Sequence, residues 1–195
     1  MKMNAKDILT PTVSLFIICL VATLLLAVVN NVTYAKIQEQ TAKAEAEARV
    51  AVLPDAKDFN EVDKDNDGTT DYYEGVDANG ETVGYVFNTT GDSKGYGGAV
   101  SVTVGIAADG KITGIVPGDL SNETPGLGQN AGKAKWQAQF VGESGVLQVV
   151  KDEKAAADTS DGKINAITSA TITSKAVTSA VNAAVEKFEE IGGAN

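Results

Sequence analysis

The chain has 195 residues, a net charge of −10, no histidine and a single cysteine. So acidic a chain repels the backbone of nucleic acids and the surface of anionic lipid. Without Cys or His clusters it offers no ligand set for an iron–sulfur cluster, a haem or a structural zinc, and Cys19, inside an apolar run, has no partner for an internal disulfide.

The first predicted element is a membrane segment. Val13 to Val29 carries no charge, and Thr12 and Asn30 to Tyr34 extend it with uncharged residues. That gives roughly the 20 residues needed to cross a bilayer. Lys2 and Lys6 precede it against Asp7, and the residues after it are mixed in sign and increasingly acidic. The positive-inside rule, resting here on two lysines, places residues 1–10 in the cytoplasm, a transmembrane helix over residues 11–34 and the main domain outside. The expectation is a single-pass protein of the cell (inner) membrane. A cleaved signal peptide is the rival reading, with Thr33-Tyr34-Ala35 as a poor processing site. The apolar core is longer than the usual signal core of about 7–15 residues, which favours an anchor.

Ala35 to Leu53 is rich in Ala, Glu, Gln and Lys and lacks Gly and Pro. These helix formers predict a helical stalk over residues 35–53, stopped before Pro54. The extracytoplasmic domain is assigned residues 54–195, enough for one domain with its own core. Phe59 to Val62, Asp71 to Val76 and Thr82 to Phe87 read as strands, with Asn79-Gly80 as a hairpin turn. Val100, Val102, Val104 and Ile106 alternate strictly and predict a half-buried strand; Asp109-Gly110 turns the chain, and Lys111 to Val116 returns. Helices are expected at about Ala131 to Val141 and at Thr171 to Glu190, where Val177, Val181, Val185 and Phe188 recur at helical spacing. The fold class is α+β: a twisted antiparallel sheet with packed helices, plus one N-terminal transmembrane helix.

Asp63 to Glu74 fits the calcium-loop pattern D-x-D-x-D-G-x5-E. Asp63, Asp65, Asp67 and Glu74 would supply side-chain oxygens, Thr69 its carbonyl, and Asp71 a direct or water-mediated contact. Yet the eighth place, apolar in such loops, is Thr70, and the flanks read as strands rather than helices. A polar hairpin turn uses the same residues and is the preferred reading.

Asn165 to Ser174 reads N-A-I-T-S-A-T-I-T-S. Ser169 and Ala170 are small and leave room for a bulky group near the backbone. Thr171 sits at or near a helix start, where free N–H groups and the dipole favour a phosphate; an ordinary Ser/Thr N-cap explains the same residues without a ligand. Further upstream stand Lys94-Gly95-Tyr96-Gly97-Gly98, then Ser121-Asn122-Glu123-Thr124-Pro125-Gly126-Leu127-Gly128, then Trp136 to Gly142.

This order of blocks resembles the RnfG family, the FMN-carrying member of the Rnf ion-translocating oxidoreductase, over roughly residues 11 to 190. NqrC of the sodium-pumping NADH:quinone oxidoreductase is its relative. The C-terminal stretch resembles the flavinylation motif D-x-x-(S/T)-(G/A)-A-T, whose last threonine carries FMN as a phosphoester. Thr171 occupies that place, with Thr168, Ser169 and Ala170 before it; Asn165 stands for the motif's Asp and Ser169 for its usual Gly. The resemblance implies a redox subunit of a ferredoxin:NAD oxidoreductase that couples electron flow to sodium or proton translocation, without a complete active site of its own. It implies the other integral-membrane and peripheral subunits as partners. A flavin transferase is also needed, since no histidine is present to activate the Thr171 hydroxyl.

Within that implied site, Glu123 and Thr124 would hydrogen-bond the isoalloxazine or the ribityl chain. Pro125 and Gly126 would fix a turn, Leu127 would cover the ring face, and Gly128 would close the segment. Trp136 and Phe140, as an i, i+4 pair, are expected in the core, while the glycines at 95–98 fit a bulge or a tight approach to the cofactor. Two alternatives remain open: an NqrC-like or free-standing flavinylated carrier, and a membrane-tethered calcium-binding or scaffold domain without flavin.

Overall fold

The computed structural model describes residues 5–64, 70–151 and 162–192. The chain divides into two units, Met1–Ala44 and Glu45–Asn195. The first is helical, formed by most of α1 (Ala5–Val52). Its apolar side chains from Leu9 to Val32 are exposed, and the helix is long and apolar enough to cross a membrane. Side chains of this kind left facing outward are stable in lipid rather than in water. Thr23 and Thr33 donate their hydroxyls to the carbonyls of Cys19 and Val29, both at 2.8 Å, so these polar groups are satisfied within the helix. The expected transmembrane and stalk segments are thus one uninterrupted helix.

The second unit is built on a five-stranded antiparallel meander in chain order: β1 (Asp58–Val62), β2 (Tyr72–Val76), β3 (Thr82–Thr90), β4 (Ser101–Ala107) and β5 (Ile112–Pro117). Gly80 and Gly110 make the two expected hairpin turns at φ 83° and 85°. On one face α3 (Thr171–Glu190) buries Val177, Val181, Val185 and Phe188 in a cluster with Phe87, Val102, Val104 and Ile106. The α+β expectation holds.

The opposite face explains why β4 is buried on both sides rather than half-buried. Gly75 stands opposite Gly84, and Gly105 opposite Gly114, so part of this face carries no side chains. Val52 and Leu53, at the end of α1, lie in that track. A Cβ on Gly84 would come within 3.0 Å of Leu53 Cδ1, one on Gly114 within 3.1 Å of Val52 Cα, and one on Gly105 would collide with the Val52 carbonyl. The same carbonyl accepts a hydrogen bond from the Thr113 hydroxyl, and the Arg49 guanidinium sits 4.0 Å from the Tyr73 ring centroid.

Two elements differ from the sequence expectation. The helix expected at Ala131 to Val141 is broken into a 3-10 turn (Gly128–Gly132), the short α2 (Ala134–Gln137) and a second 3-10 turn (Ala138–Phe140), because Lys133 is extended. A parallel pair, β6 (Gln148–Val150) with β7 (Lys163–Asn165), was not expected. Three residues per strand carry no readable alternation.

Candidate functional site

The chain leaves β7 through residues 166–170 and enters α3 at Thr171. Ser174, fully buried, pins this connection: its hydroxyl donates to the Ala170 carbonyl at 3.0 Å and accepts the Ile167 N–H at 2.9 Å. Ser169 has φ 62°, a left-handed conformation that suits glycine and that the motif usually fills with it. The N-cap is Ala170, whose side chain caps nothing. The Ser/Thr cap is therefore not made, and the N–H groups of Thr171, Ile172 and Thr173 have no intrahelical acceptor. An uncapped helix start of this kind favours an anion.

Glu123 is buried to 3% exposure rather than an exposed loop acid. Its loop begins at Asp119, whose carboxylate accepts the Ser121 N–H at 2.8 Å and the Ser121 hydroxyl at 2.9 Å, which holds it below the usual carboxylate range. Glu123 Oε1 accepts the Gly97 N–H at 2.9 Å, and Oε2 accepts the Thr173 hydroxyl at 2.5 Å. One carboxylate thus joins the Gly95–Gly98 turn, its own loop and the first turn of α3. Glycines permit the approach: a Cβ on Gly128 would lie 2.5 Å from Glu123 Oε2 and 2.7 Å from Thr173 Oγ1. The close approach in the 95–98 segment is likewise to protein atoms, with Gly95 meeting Glu123 and Gly97 meeting Asn122.

A cavity of about 470 Å3 opens among these three segments, within the range of roughly 300–1,000 Å3 usual for ligand sites. Glu123, Thr124, Leu127, Gly128, Ser169, Ala170 and Thr171 all border it. Thr168 instead borders two adjoining cavities, one shared with Thr171 and Lys151, the other with Lys133, Lys135 and Trp136. Gly126 is not a wall; at φ 75° it makes the turn, and its carbonyl accepts from Asn130 Nδ2 at 2.6 Å. Tyr96, Ile172 and Thr173 also border the 470 Å3 cavity and were not assigned to the site from the sequence. Trp136 and Phe140 are the expected core pair, edge to face at 5.2 Å, and Trp136 Nε1 donates to the Asn165 carbonyl at 2.8 Å.

Of the acidic-loop residues, Asp65, Asp67 and Thr69 lie outside the described residues. Asp71 accepts the Lys64 N–H at 2.8 Å, and Glu74, on β2, accepts the Thr82 hydroxyl at 2.5 Å. Among the described residues no group of three acidic, Cys or His side chains is placed to hold a metal.

Residues 95–186 match the family model of the FMN-binding domain, and residues 1–52 that of the RnfG N-terminal region. The chain is 40% identical over 190 residues to the RnfG protein of the Na+-translocating ferredoxin:NAD+ oxidoreductase complex of Acetobacterium woodii, covering 91% of this chain and 89% of that one. The chain belongs to the RnfG family. A second RnfG relative, from the proton-translocating ferredoxin:NAD+ oxidoreductase complex of Clostridium ljungdahlii, is 35% identical over 97% of this chain and 96% of its own length. The NqrC-type component of the Na+-translocating NADH-quinone reductase of Parabacteroides distasonis shares the fold, with a TM-score of 0.56 at 18% identity over 79% of this chain and 94% of that one. The FMN-binding match over residues 95–186 takes in every wall of the cavity that Glu123 and Thr171 border. Those walls fit FMN: amides without an intrahelical acceptor at a helix start for its phosphate, and a ligand-sized space beside them for its ring.

Proposed function

We propose that this chain is the membrane-anchored electron-transfer subunit of an Rnf-type ferredoxin:NAD+ oxidoreductase that couples electron flow to sodium or proton translocation, and that it carries FMN as a phosphoester on Thr171. The observation that carries the reading is the meeting of three distant sequence blocks around one cavity, with Thr171 on its wall at an uncapped helix start. The flavin, when bound, supplies the electron-accepting and electron-donating ring. The chain's own residues hold it. The amides of the first turn of α3 would face the phosphate and Leu127 and Thr124 would border the ring, while Glu123 keeps the walls together.

Thr171 is half-buried, whereas Thr173 is 2% exposed with its hydroxyl committed to Glu123. That favours Thr171 over Thr173 as the esterified hydroxyl. The chain contains no histidine to activate it, so a flavin transferase is the maturation partner. Intact mass of the protein from its own host should exceed the sequence mass by FMN less one water. Thr171→Ala should abolish this adduct and Thr173→Ala should leave it; a modified Thr168 or Thr173 would refute the assignment. In membranes, Thr171→Ala should stop ferredoxin-dependent NAD+ reduction while the complex still assembles. Wild-type rates in that flavin-free complex would overturn the relay role.

Lys2 and Lys6 support an N-terminus in the cytoplasm and a main domain outside. Protease added to spheroplasts should then digest residues beyond Lys36, and protection there would reverse the orientation. For the acidic loop, the hydrogen bonds accepted by Asp71 and Glu74 favour the polar turn. Calorimetry with calcium should give only heat of dilution; one site lost in Asp63→Ala would establish a calcium loop instead.

A further inference from the structure

Outside α1, the described residues that leave a large apolar side chain exposed are Tyr96, Leu127, Val141, Val146 and Ile172. Three of these, Tyr96, Leu127 and Ile172, come from separate segments and border the same cavity. Exposed apolar groups gathered around a concave space mark a binding surface. Tyr96 is the most exposed of the five, at 78%. It is not carried on a loose loop: the Gly95 N–H donates to the Gly98 carbonyl at 2.6 Å, and Glu123 accepts the Gly97 N–H. The same carboxylate holds the Thr173 hydroxyl, so a single side chain sets the spacing between the Tyr96 turn and the start of α3. The adjoining spaces that also touch the 165–171 segment are bordered by Lys151 in one and by Lys133, Lys135 and the largely buried Trp136 in the other. Lysines there favour an anion, and among the described residues no large apolar side chain left exposed borders either space.

We propose that the isoalloxazine of FMN carried on Thr171 lies in the cavity of Tyr96, Leu127 and Ile172 with the Tyr96 phenol against it, and that Glu123 is the positioning residue that keeps Tyr96 there. The inference rests on the attachment of FMN at Thr171. A π-face exposed at a preformed space is the surface a flat aromatic ligand covers, and burial of Tyr96 by that ligand accounts for an aromatic side chain otherwise left in water. An electron-rich phenol in contact with an excited flavin quenches its emission. A more distant phenol does not.

The test uses the flavinylated full-length protein in detergent, as wild type, Tyr96→Leu, Tyr96→Phe and Glu123→Gln. Intact mass and fluorescence of the denatured chain give the flavin content of each. Emission of the folded protein is then compared with the same sample in guanidinium. Folded wild type should emit several-fold less than denatured wild type. Tyr96→Leu and Tyr96→Phe should each raise folded emission several-fold at equal flavin content, the latter because phenylalanine keeps the ring but is a much poorer electron donor. Glu123→Gln should raise it partway without altering the emission of the denatured chain. Unchanged folded emission in Tyr96→Leu, or a wild type that is not quenched, would overturn the placement of the ring. A Glu123→Gln protein as dim as wild type would remove Glu123 from the positioning role. No adduct in wild type would instead defeat the attachment reading; an adduct with Tyr96 silent defeats only this inference. Because Tyr96 lies at the surface, its variants should fold even if Glu123→Gln does not.

Discussion

The last residues of α1 and the first residues of α3 are two helix ends with opposite treatments. At the end of α1, Val52 and Leu53 lie in a glycine track, and the Val52 carbonyl is taken by Thr113. The Arg49 carbonyl is likewise taken, by the Leu53 N–H at 3.2 Å. At the start of α3 the cap is an alanine, the preceding serine is left-handed, and the first amides are unpaired within the helix. Helix ends leave polar groups that must be satisfied by something. Where the chain satisfies them itself, the end is structural. Where it commits a carboxylate, several glycines and a strained serine to hold the surroundings and still leaves the amides open, the end is set up for something the chain does not contain.

That contrast can be broken by substitution. The largest effect on stability is expected at the sealed end: Gly105→Ala drives a methyl group into the Val52 carbonyl and should cost about 1–3 kcal/mol, read as a lower urea midpoint with an unchanged slope. Thr113→Val removes the partner of that carbonyl and should cost roughly 1 kcal/mol. At the open end the sign reverses. Ser169→Gly relieves a left-handed serine and should stabilise the domain by about 0.5–1 kcal/mol, with the adduct retained. Thr171→Ala, which removes no cap, should move stability by less than about 0.5 kcal/mol while abolishing the adduct. A destabilising Ser169→Gly or a strongly destabilising Thr171→Ala would mean the open end is structural after all.

The smallest effect lies away from both ends and serves as their baseline. Asp77 accepts the N–H of Glu81 and of Asn79 in the first hairpin, which holds its carboxyl below the usual range. A carboxylate lowered in the folded state favours folding above its unfolded pKa, near about 3.9, and loses that contribution as pH falls through the lowered folded value. Wild type and Asp77→Asn should therefore differ slightly in stability at neutral pH and converge in acid. The carboxyl carbon of Asp77, followed by NMR, should titrate below an unperturbed aspartate.

What the sequence revealed follows from the range of the interactions involved. The β4–β5 hairpin was legible because alternation and Asp109-Gly110 are local signals, and α3 because its apolar spacing runs over its whole length. The second covered face of β4 was not, because Gly105 and Gly114 make no local pattern and their meaning depends on Val52, more than fifty residues away. The site divides the same way. Thr171 and the Glu123 loop stood out as motifs, but the hydrogen bond that ties that loop to the first turn of α3 spans 50 residues, and the one that ties it to the Gly95–Gly98 turn spans 26. Neither the burial of Glu123 nor the exposure of Tyr96 could be read before those contacts were known.

The double attachment of Glu123 also bears on how far the flavin site can be transplanted. A tag made of residues 165–174 would carry the Thr171 hydroxyl and the residues around it to another protein, and a transferase that reads only that stretch could load it. It would leave behind Glu123, Leu127 and Tyr96, all of them supplied by distant parts of the chain. The transplanted flavin would be tethered in solvent, bright and with the potential of the free cofactor. On the proposed attachment at Thr171, portability would belong to the acceptor peptide and redox character to the domain around it.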